Sequence, residues 1–486
     1  MRNISRRSFL QSSAALAGGT SLFALTGPSV LGDVVGANER VRLAIIGAGG
    51  RGREHINFFG KLPAVEIVGI ADPNKLLADK SAEQIEKKYG TKATSIQDFR
   101  KLLDDKNVDA VSVASCNHWH SLMTILACQA GKDVYVEKPM SQNLFEGRKC
   151  VEAAAKYKRL VQHGTQRRSE EVWARATAAA RSGKYGKLLA AKVYANRPRA
   201  SLGFKLITAT PETFDWNLWL GPAPKLEYHA NLAPYNWHWF WDTGNGEIGN
   251  NGVHYFDLCV WAFGEKHPNS VISFGTRFVN DPENKYKDQA QTPNIQFVLY
   301  DFDGLPLIFE SCNLAGPKDK WKPREEAEFI TEQGFIRGAN FVSKDGKTEK
   351  IDVEFQPLLP GDNFANFIEA VRNRDSVPLN APITKGHYAA GICHWGNAAY
   401  RTGQPDSLKS VREKMGNNSI LQESIDNVLA NVQNVFQDSV KIEDIPFSVS
   451  RKLIIDREKE KFVDNSAADA FLTRTPRPPF VVPEQV

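Results

Sequence analysis

The segment that most restricts the fold is Val41–Ile46, a short, mostly apolar run that leads straight into Gly47-Ala48-Gly49-Gly50-Arg51-Gly52. A buried strand, a glycine turn and a helix start in that order form a phosphate cradle. Gly47 permits the tight turn, and Gly49 lets the backbone approach a pyrophosphate. Gly52 allows the helix to pack against the strand, and the helix N-terminus attracts phosphate charge. Asp72 stands 25 residues beyond Gly47, at the end of the next strand-like run. An acid there accepts hydrogen bonds from ribose hydroxyls and repels a 2′-phosphate, which favours NAD over NADP. Arg51 offsets that charge if its side chain turns toward the ribose, so NADP stays open. The bland alternative is a tight glycine turn in an unrelated α/β fold.

The pattern around this turn extends it to a domain. From residue 41 to about 165, short apolar runs alternate with helix-like stretches, the texture of a parallel, doubly wound sheet. After one further helix the chain becomes strand-rich, with short turns such as Asp303-Gly304 and a last strand expected at Ile351–Phe355. The expected fold class is therefore α/β: a Rossmann dinucleotide-binding domain at 41–165, then at 166–404 an α+β domain with a large, mostly antiparallel open sheet. Residues 405–486 form a charged extension ending in a Pro-rich stretch.

The N-terminus reads as an address. Ser5-Arg6-Arg7-Ser8-Phe9-Leu10 is a twin-arginine pattern followed by a moderately apolar stretch to Leu25, which predicts a Tat-type signal over 1–32 and a periplasmic destination. No later segment offers the roughly 18 apolar residues of a membrane span, so no stable membrane insertion is expected once the signal is removed. The net charge of +5 is small for 486 residues and no basic stripe is visible, which argues against a nucleic-acid partner. Six scattered cysteines with no CxxC spacing predict buried free thiols.

Further motifs carry a resemblance. Asn117-His118-Trp119-His120, Ala130-Gly131-Lys132, Asp133–Pro139 with its Glu137-Lys138-Pro139, and Gly244–Asp257 together make the chain similar to the glucose–fructose oxidoreductase / inositol dehydrogenase (Gfo/Idh/MocA) family over about 41–402. Lys138, just past the end of a buried parallel strand, sits where open α/β sheets bind ligands, and burial there lowers a lysine pKa toward proton-transfer values. The alternative is a surface ion pair between Lys138 and Glu137. The resemblance implies that His254 faces the nicotinamide and the substrate carbon, and that Asn117, His120 and Glu137 lie by the cofactor. It also implies a homo-oligomer paired through the open face of the second-domain sheet. Where the family pattern has Asp, this chain has Asn250, which cannot take a proton but can orient a hydroxyl. His254 would then act with Lys138 or with Asp257, read as a substrate-hydroxyl ligand or His partner. Otherwise His254 is a satisfied core histidine.

His118 and His120 would point the same way on a strand, but no third ligand follows by spacing, so no metal is expected. Trp216, Trp219, Trp237, Trp239 and Trp241, with His238 among them, fall within Asp215–Asp242; they suit the apolar faces of sugar rings or, equally, an aromatic core or oligomer interface. Gln166, Arg167 and Arg168 could add polar contacts to substrate.

These readings converge on an NAD(P)-dependent oxidoreductase acting on CH–OH groups of a sugar, sugar derivative or cyclitol by hydride transfer. Export away from the cytoplasmic NAD pool implies tightly bound cofactor. Two alternatives remain: an NAD-dependent glycosidase working by transient oxidation and elimination, and a non-catalytic periplasmic sugar-binding protein on the same fold.

Overall fold

The computed structural model describes residues 40–486, apart from 317–322, 360, 417, 438 and 476. The twin-arginine segment lies outside the described residues. No helix among the described residues is long and apolar enough to cross a membrane.

The first domain is built on β1 (Val41–Ile46), β2 (Val65–Ala71), β3 (Thr94–Ile96), β4 (Ala110–Val113), β5 (Asp133–Val136) and β6 (Val161–His163). They pair in the order β3-β2-β1-β4-β5-β6, all parallel. That is the Rossmann order, which reverses direction between β1 and β4 and opens a crevice at the strand ends there. The helices Asn117–Gln129 and Leu144–Lys156 pack together on the sheet, which also carries Gly50–Phe59 and Lys75–Tyr89. The strands are therefore mostly apolar and mostly buried rather than strictly alternating.

The second domain holds the larger sheet: β7 (Leu188–Asn196), β8 (Ser270–Thr276), β9 (Ile295–Phe302), β10 (Leu305–Cys312), β11 (Arg324–Thr331), β12 (Gly334–Arg337), β13 (Asn340–Ser343) and β14 (Thr348–Lys350). β7 and β10 run parallel; the other neighbours are antiparallel. Period-2 alternation sends Val193, Phe309 and Phe329 to one face, against the helices Val253–Phe263 and Ile383–Arg401. Ile351–Phe355 is not a strand. Pairing stops at Lys350, after which Ile351 enters the core and the Phe355 ring packs under Arg175, 4.6 Å from its guanidinium carbon.

Residues 405–486 are no appendage. β15 (Ser448–Val449) and β16 (Leu453–Asp456) pair with β8 and extend the sheet. The helix Ser419–Phe436 lays Leu421, Ile425, Val428 and Val432 over Phe274, Phe297 and Ile308 on the sheet's second face. In this chain its own helix thus covers part of the face through which the resemblance implies pairing of copies. Beyond it, Arg474 donates to the His118 carbonyl and pairs with Glu146, while Phe480 packs edge-on to Trp119 in the first domain.

Glu310 of β10 is buried under this helix, beside Ser424 and Lys192, and burial pushes its carboxyl up to about 7. A carboxyl raised in the fold stabilises it fully below the ordinary carboxylate range, and that contribution is lost as pH rises through about 7. The thermal midpoint is therefore expected to fall from about pH 6 to pH 8, by roughly 1 kcal/mol of stability at the upper end. Glu310→Gln should flatten this dependence in thermal melts across that range.

Candidate active site

A cavity of about 830 Å3 runs along the crevice, lined by Gly47, Gly49 and Asp72 near one end and by Lys138, Asn250 and His254 near the other. The glycine turn has the geometry the sequence requires. Gly47 adopts φ +103°, and a Cβ there would stand 2.5 Å from the Ala114 carbonyl oxygen. A Cβ on Gly52 would fall 1.8 Å from the Gly47 carbonyl oxygen, so helix and turn touch backbone to backbone. Gly49 faces open space, with nothing within 4 Å of where its Cβ would be. This is a cradle shaped for a pyrophosphate at a helix N-terminus. The Asp72 carboxylate accepts from the amides of Ala48 and Asn74, both at 2.8 Å, and burial raises its pKa against those bonds. Each oxygen keeps a lone pair for a ribose hydroxyl.

Glu137 ends β5 almost fully buried. Its Oε1 accepts from Arg51 Nε at 2.7 Å and pairs with His55 Nε2 at 2.9 Å, while His55 Nδ1 meets Ser112 Oγ at 2.7 Å. Burial alone would raise the carboxyl, but the Arg51 charge and the His55 contact hold it well below the usual range. Arg51 pairs with Glu137 through Nε and with Glu54 through Nη1 while still lining the cavity, so much of its charge is already balanced by carboxylates before any ribose binds.

The peptide Lys138-Pro139 is cis. Lys138 Nζ donates to the Asn250 carbonyl at 2.6 Å and to Asn250 Oδ1 at 3.1 Å, joining the two domains at the cavity. Burial lowers its pKa, opposed by Glu137 and Glu247. Asn250 lies not on a regular α-helix but on a π turn, Ile248–Gly252, directly ahead of the helix carrying His254. π turns within helices recur at functional sites, and here Asn250 and His254 both reach the cavity. His254 makes no hydrogen bond among the described residues. Burial, then the neighbouring Lys138 charge, pushes its pKa well down, so the ring is neutral.

Asp257 does not belong to this site. It is fully buried, and both carboxylate oxygens accept from Arg168 Nε at 2.8 Å, with neither residue lining the cavity. An isolated buried carboxylate is prohibitively costly, so this aspartate needs its arginine more than a substrate does. Arg167 is likewise occupied, on the Tyr255 hydroxyl; of that trio only Gln166 reaches the cavity.

His118 and His120 lie on a helix, not a strand, and diverge. Each sets its two ring nitrogens against backbone carbonyls, Thr243 and Trp219 for His118 and Pro139 and Ser115 for His120. The neutral ring that burial favours donates to one carbonyl of each pair. His120 therefore borders the cavity with its ring nitrogens already used, a brace rather than a free cofactor donor. Asn117 donates to Asn245 Oδ1, and its own Oδ1 is buried with no partner among the described residues, an acceptor left over beside the cradle. The glycine cradle, Asp72 and this spare acceptor together fit a dinucleotide.

The tryptophans divide. Trp219 and Trp237 line the cavity, and Trp216 stacks behind Trp219 at 4.5 Å. Trp239 and Trp241 lie elsewhere, under Arg199 and Arg401. Sequence reasoning missed Tyr228 and Tyr235, which complete the aromatic wall, and the buried His55 behind Glu137. The one signal for the tyrosines is their place among the tryptophans.

Comparison with known proteins agrees with this geometry. Residues 41–165 match a family described as oxidoreductase, NAD-binding Rossmann fold, and residues 203–435 match its C-terminal alpha/beta domain. Glycosyl hydrolase family 109 protein 1 of Shewanella sp. ANA-3 is 31% identical over 172 residues, and an alpha-N-acetylgalactosaminidase of Shewanella oneidensis is 30% identical over the same length. These alignments cover 32% of this chain and span only 38% of either relative's length. Among solved structures, the WlbA dehydrogenase from Bordetella pertussis, in complex with NADH and UDP-GlcNAcA, superposes with TM-score 0.56 at 18% identity, covering 74% of this chain and 97% of that one. Apo scyllo-inositol dehydrogenase from Lactobacillus casei gives 0.51 at 17%, covering 75% and 96%. At such identities the likeness is one of fold.

Removing Arg168 should unmask its structural role. Arg168→Met leaves Asp257 buried and unpaired and is expected to cost roughly 3–5 kcal/mol, read as a fall in denaturation midpoint. NAD affinity of the remaining folded protein should be unchanged.

Proposed function

The chain belongs to the Gfo/Idh/MocA oxidoreductase family and carries its NAD-binding domain, and from this premise we propose that it oxidises a secondary hydroxyl of a sugar or sugar-like polyol. The observation that carries the reading is the meeting of Lys138 and His254 in one cavity with the glycine cradle. Bound NAD supplies the two-electron acceptor, and the protein manages the proton and the position of the ring. Lys138, its pKa lowered by burial, takes the hydroxyl proton when neutral. Asn250 fixes the ammonium group from two directions, a positioning role open to an amide without proton transfer. Neutral His254, with both ring nitrogens unengaged, hydrogen-bonds the reacting or adjacent hydroxyl. The indole and phenol faces of Trp219, Trp237, Tyr228 and Tyr235 cover the apolar face of the ring and exclude water.

The identity to family 109 glycosyl hydrolases favours a second reading on the same residues. In it, transient oxidation is followed by loss of the glycosidic substituent, addition of water and re-reduction, so the cofactor ends unchanged. The twin-arginine pattern extends either proposal: the folded chain is exported with its NAD and retains it through turnover, acting in the periplasm, where no free pool replenishes the cofactor. A homo-oligomer remains part of this proposal, through a surface other than the portion of the sheet under Ser419–Phe436.

Lys138→Met is expected to lower kcat by about 10²- to 10⁴-fold while NAD still binds, measured by NADH absorbance in single turnovers with sugars and glycosides. Loss of NAD binding instead would assign Lys138 to the cofactor. Asn250→Asp places an anion against Lys138 and raises its pKa. The acid limb of the rate–pH profile, along which rate rises as Lys138 loses its proton, should therefore move to higher pH.

A further inference from the structure

On the far side of Tyr235 lies a second cavity, of about 260 Å3, bounded by the segments that follow β7, β8 and β10. Tyr235 lines both cavities. It is 52% exposed; its ring stands edge-on to His238 of the larger cavity at 5.0 Å, and its hydroxyl interacts with Arg199 of the smaller. The two cavities thus meet at one aromatic side chain. At roughly 30 Å3 per water in the liquid, the smaller has room for about nine waters, the scale of one sugar ring.

Its walls mix apolar residues such as Leu202, Trp239 and Val279 with polar ones, and the charges among them are balanced. Arg199 makes a two-bond pair with Glu247, at 2.6 and 3.0 Å, and Arg277 does the same with Asp288, at 3.0 and 2.6 Å. Both guanidinium charges are spent on carboxylates, so the cavity offers no net charge to a phosphate. The remaining groups are neutral. Asn313 is 1% exposed, its Oδ1 accepts from the Arg197 amide and Ser311 Oγ, and its amide nitrogen has no partner among the described residues. A buried donor left unpaired costs free energy that a ligand acceptor restores. Asn236 adds a half-buried side-chain amide beside Tyr235.

We propose that this cavity is a subsite for a neutral sugar ring joined to the ring that reacts beside Lys138, so that the substrate is a disaccharide or larger glycoside rather than a free monosaccharide or a nucleotide sugar. The proposal rests on the sugar reading of the larger cavity. Tyr235 sits at the linkage, where its exposed face can pack on either ring, and the balanced Arg–carboxylate pairs offer hydrogen-bond geometry without selecting an anion.

The test is calorimetric titration of the NAD-loaded full chain with a panel of neutral hexoses and N-acetylhexosamines, their α- and β-linked disaccharides, and the corresponding uridine diphosphate sugars. Ala200→Trp fills the second cavity from its exposed rim, and Asn236→Leu removes a polar group from its wall without touching the Lys138 site. The expected result is a disaccharide bound at least about tenfold more tightly than its matching monosaccharide. Both variants should abolish that advantage while monosaccharide and NAD affinities stay unchanged. Equal affinity for the two sugars, equal losses for both in the variants, or preference for the diphosphate sugar would overturn the subsite and leave the redox reading standing. Failure of every sugar to bind the NAD-loaded protein would overturn both.

Discussion

A buried carboxylate organises the site. Glu137 lines the cavity almost fully buried, where an unpaired negative charge would be untenable, and its demand for partners draws together parts of the chain that are distant in sequence. Arg51 and His55 come from the helix that opens at the glycine turn, and Ser112 closes the far side of His55 from β4. Helix, turn and two strand ends are thereby locked in one register. Lys138, the next residue after Glu137, is delivered to the cavity as a result. Its contact with Asn250 then carries the alignment into the second domain. The cradle and Lys138 are placed relative to one another by this chain of charge and hydrogen bonds rather than by the sheet alone.

The second domain contributes a face more than a framework. Its sheet is buried on one side by the helix bearing His254 and partly on the other by Ser419–Phe436. The loops leaving β7, β8 and β10 are free to form the aromatic and polar walls of two adjoining cavities. A rigid sheet with its binding groups on the connecting segments suits recognition of a bulky, polyhydroxylated molecule.

How much of this was legible in the sequence depended on how far apart the interacting residues lie. The turn at Gly47–Gly52 was readable because its determinants are contiguous: the strand before, the helix after and an acid at the next strand end. Lys138 was readable from strand-end position. Asp257 was misread because its environment is set by Arg168, 89 residues away, and no local pattern marks a buried pair. His120 was misread in part for the same reason, since the Pro139 carbonyl it holds is reached only through the fold. The π turn at Asn250 left no trace in residue spacing. The region after 405 carried little strand signal because its strands are two to four residues long and its one long helix gains stability from the sheet it covers.

The contact between Arg474 and the His118 carbonyl joins residues 356 positions apart, and Phe480 closes over Trp119 beside it. During synthesis, the helix Asn117–Gln129 can cover its indole early with Phe99 and then with the Trp219–Gly221 segment, but the edge that Phe480 meets stays open while the rest of the second domain is made. The nucleotide-binding half is among the first to appear and the last to be sealed. A ribosome working from one end thus leaves this aromatic edge among the last contacts of the first domain to form.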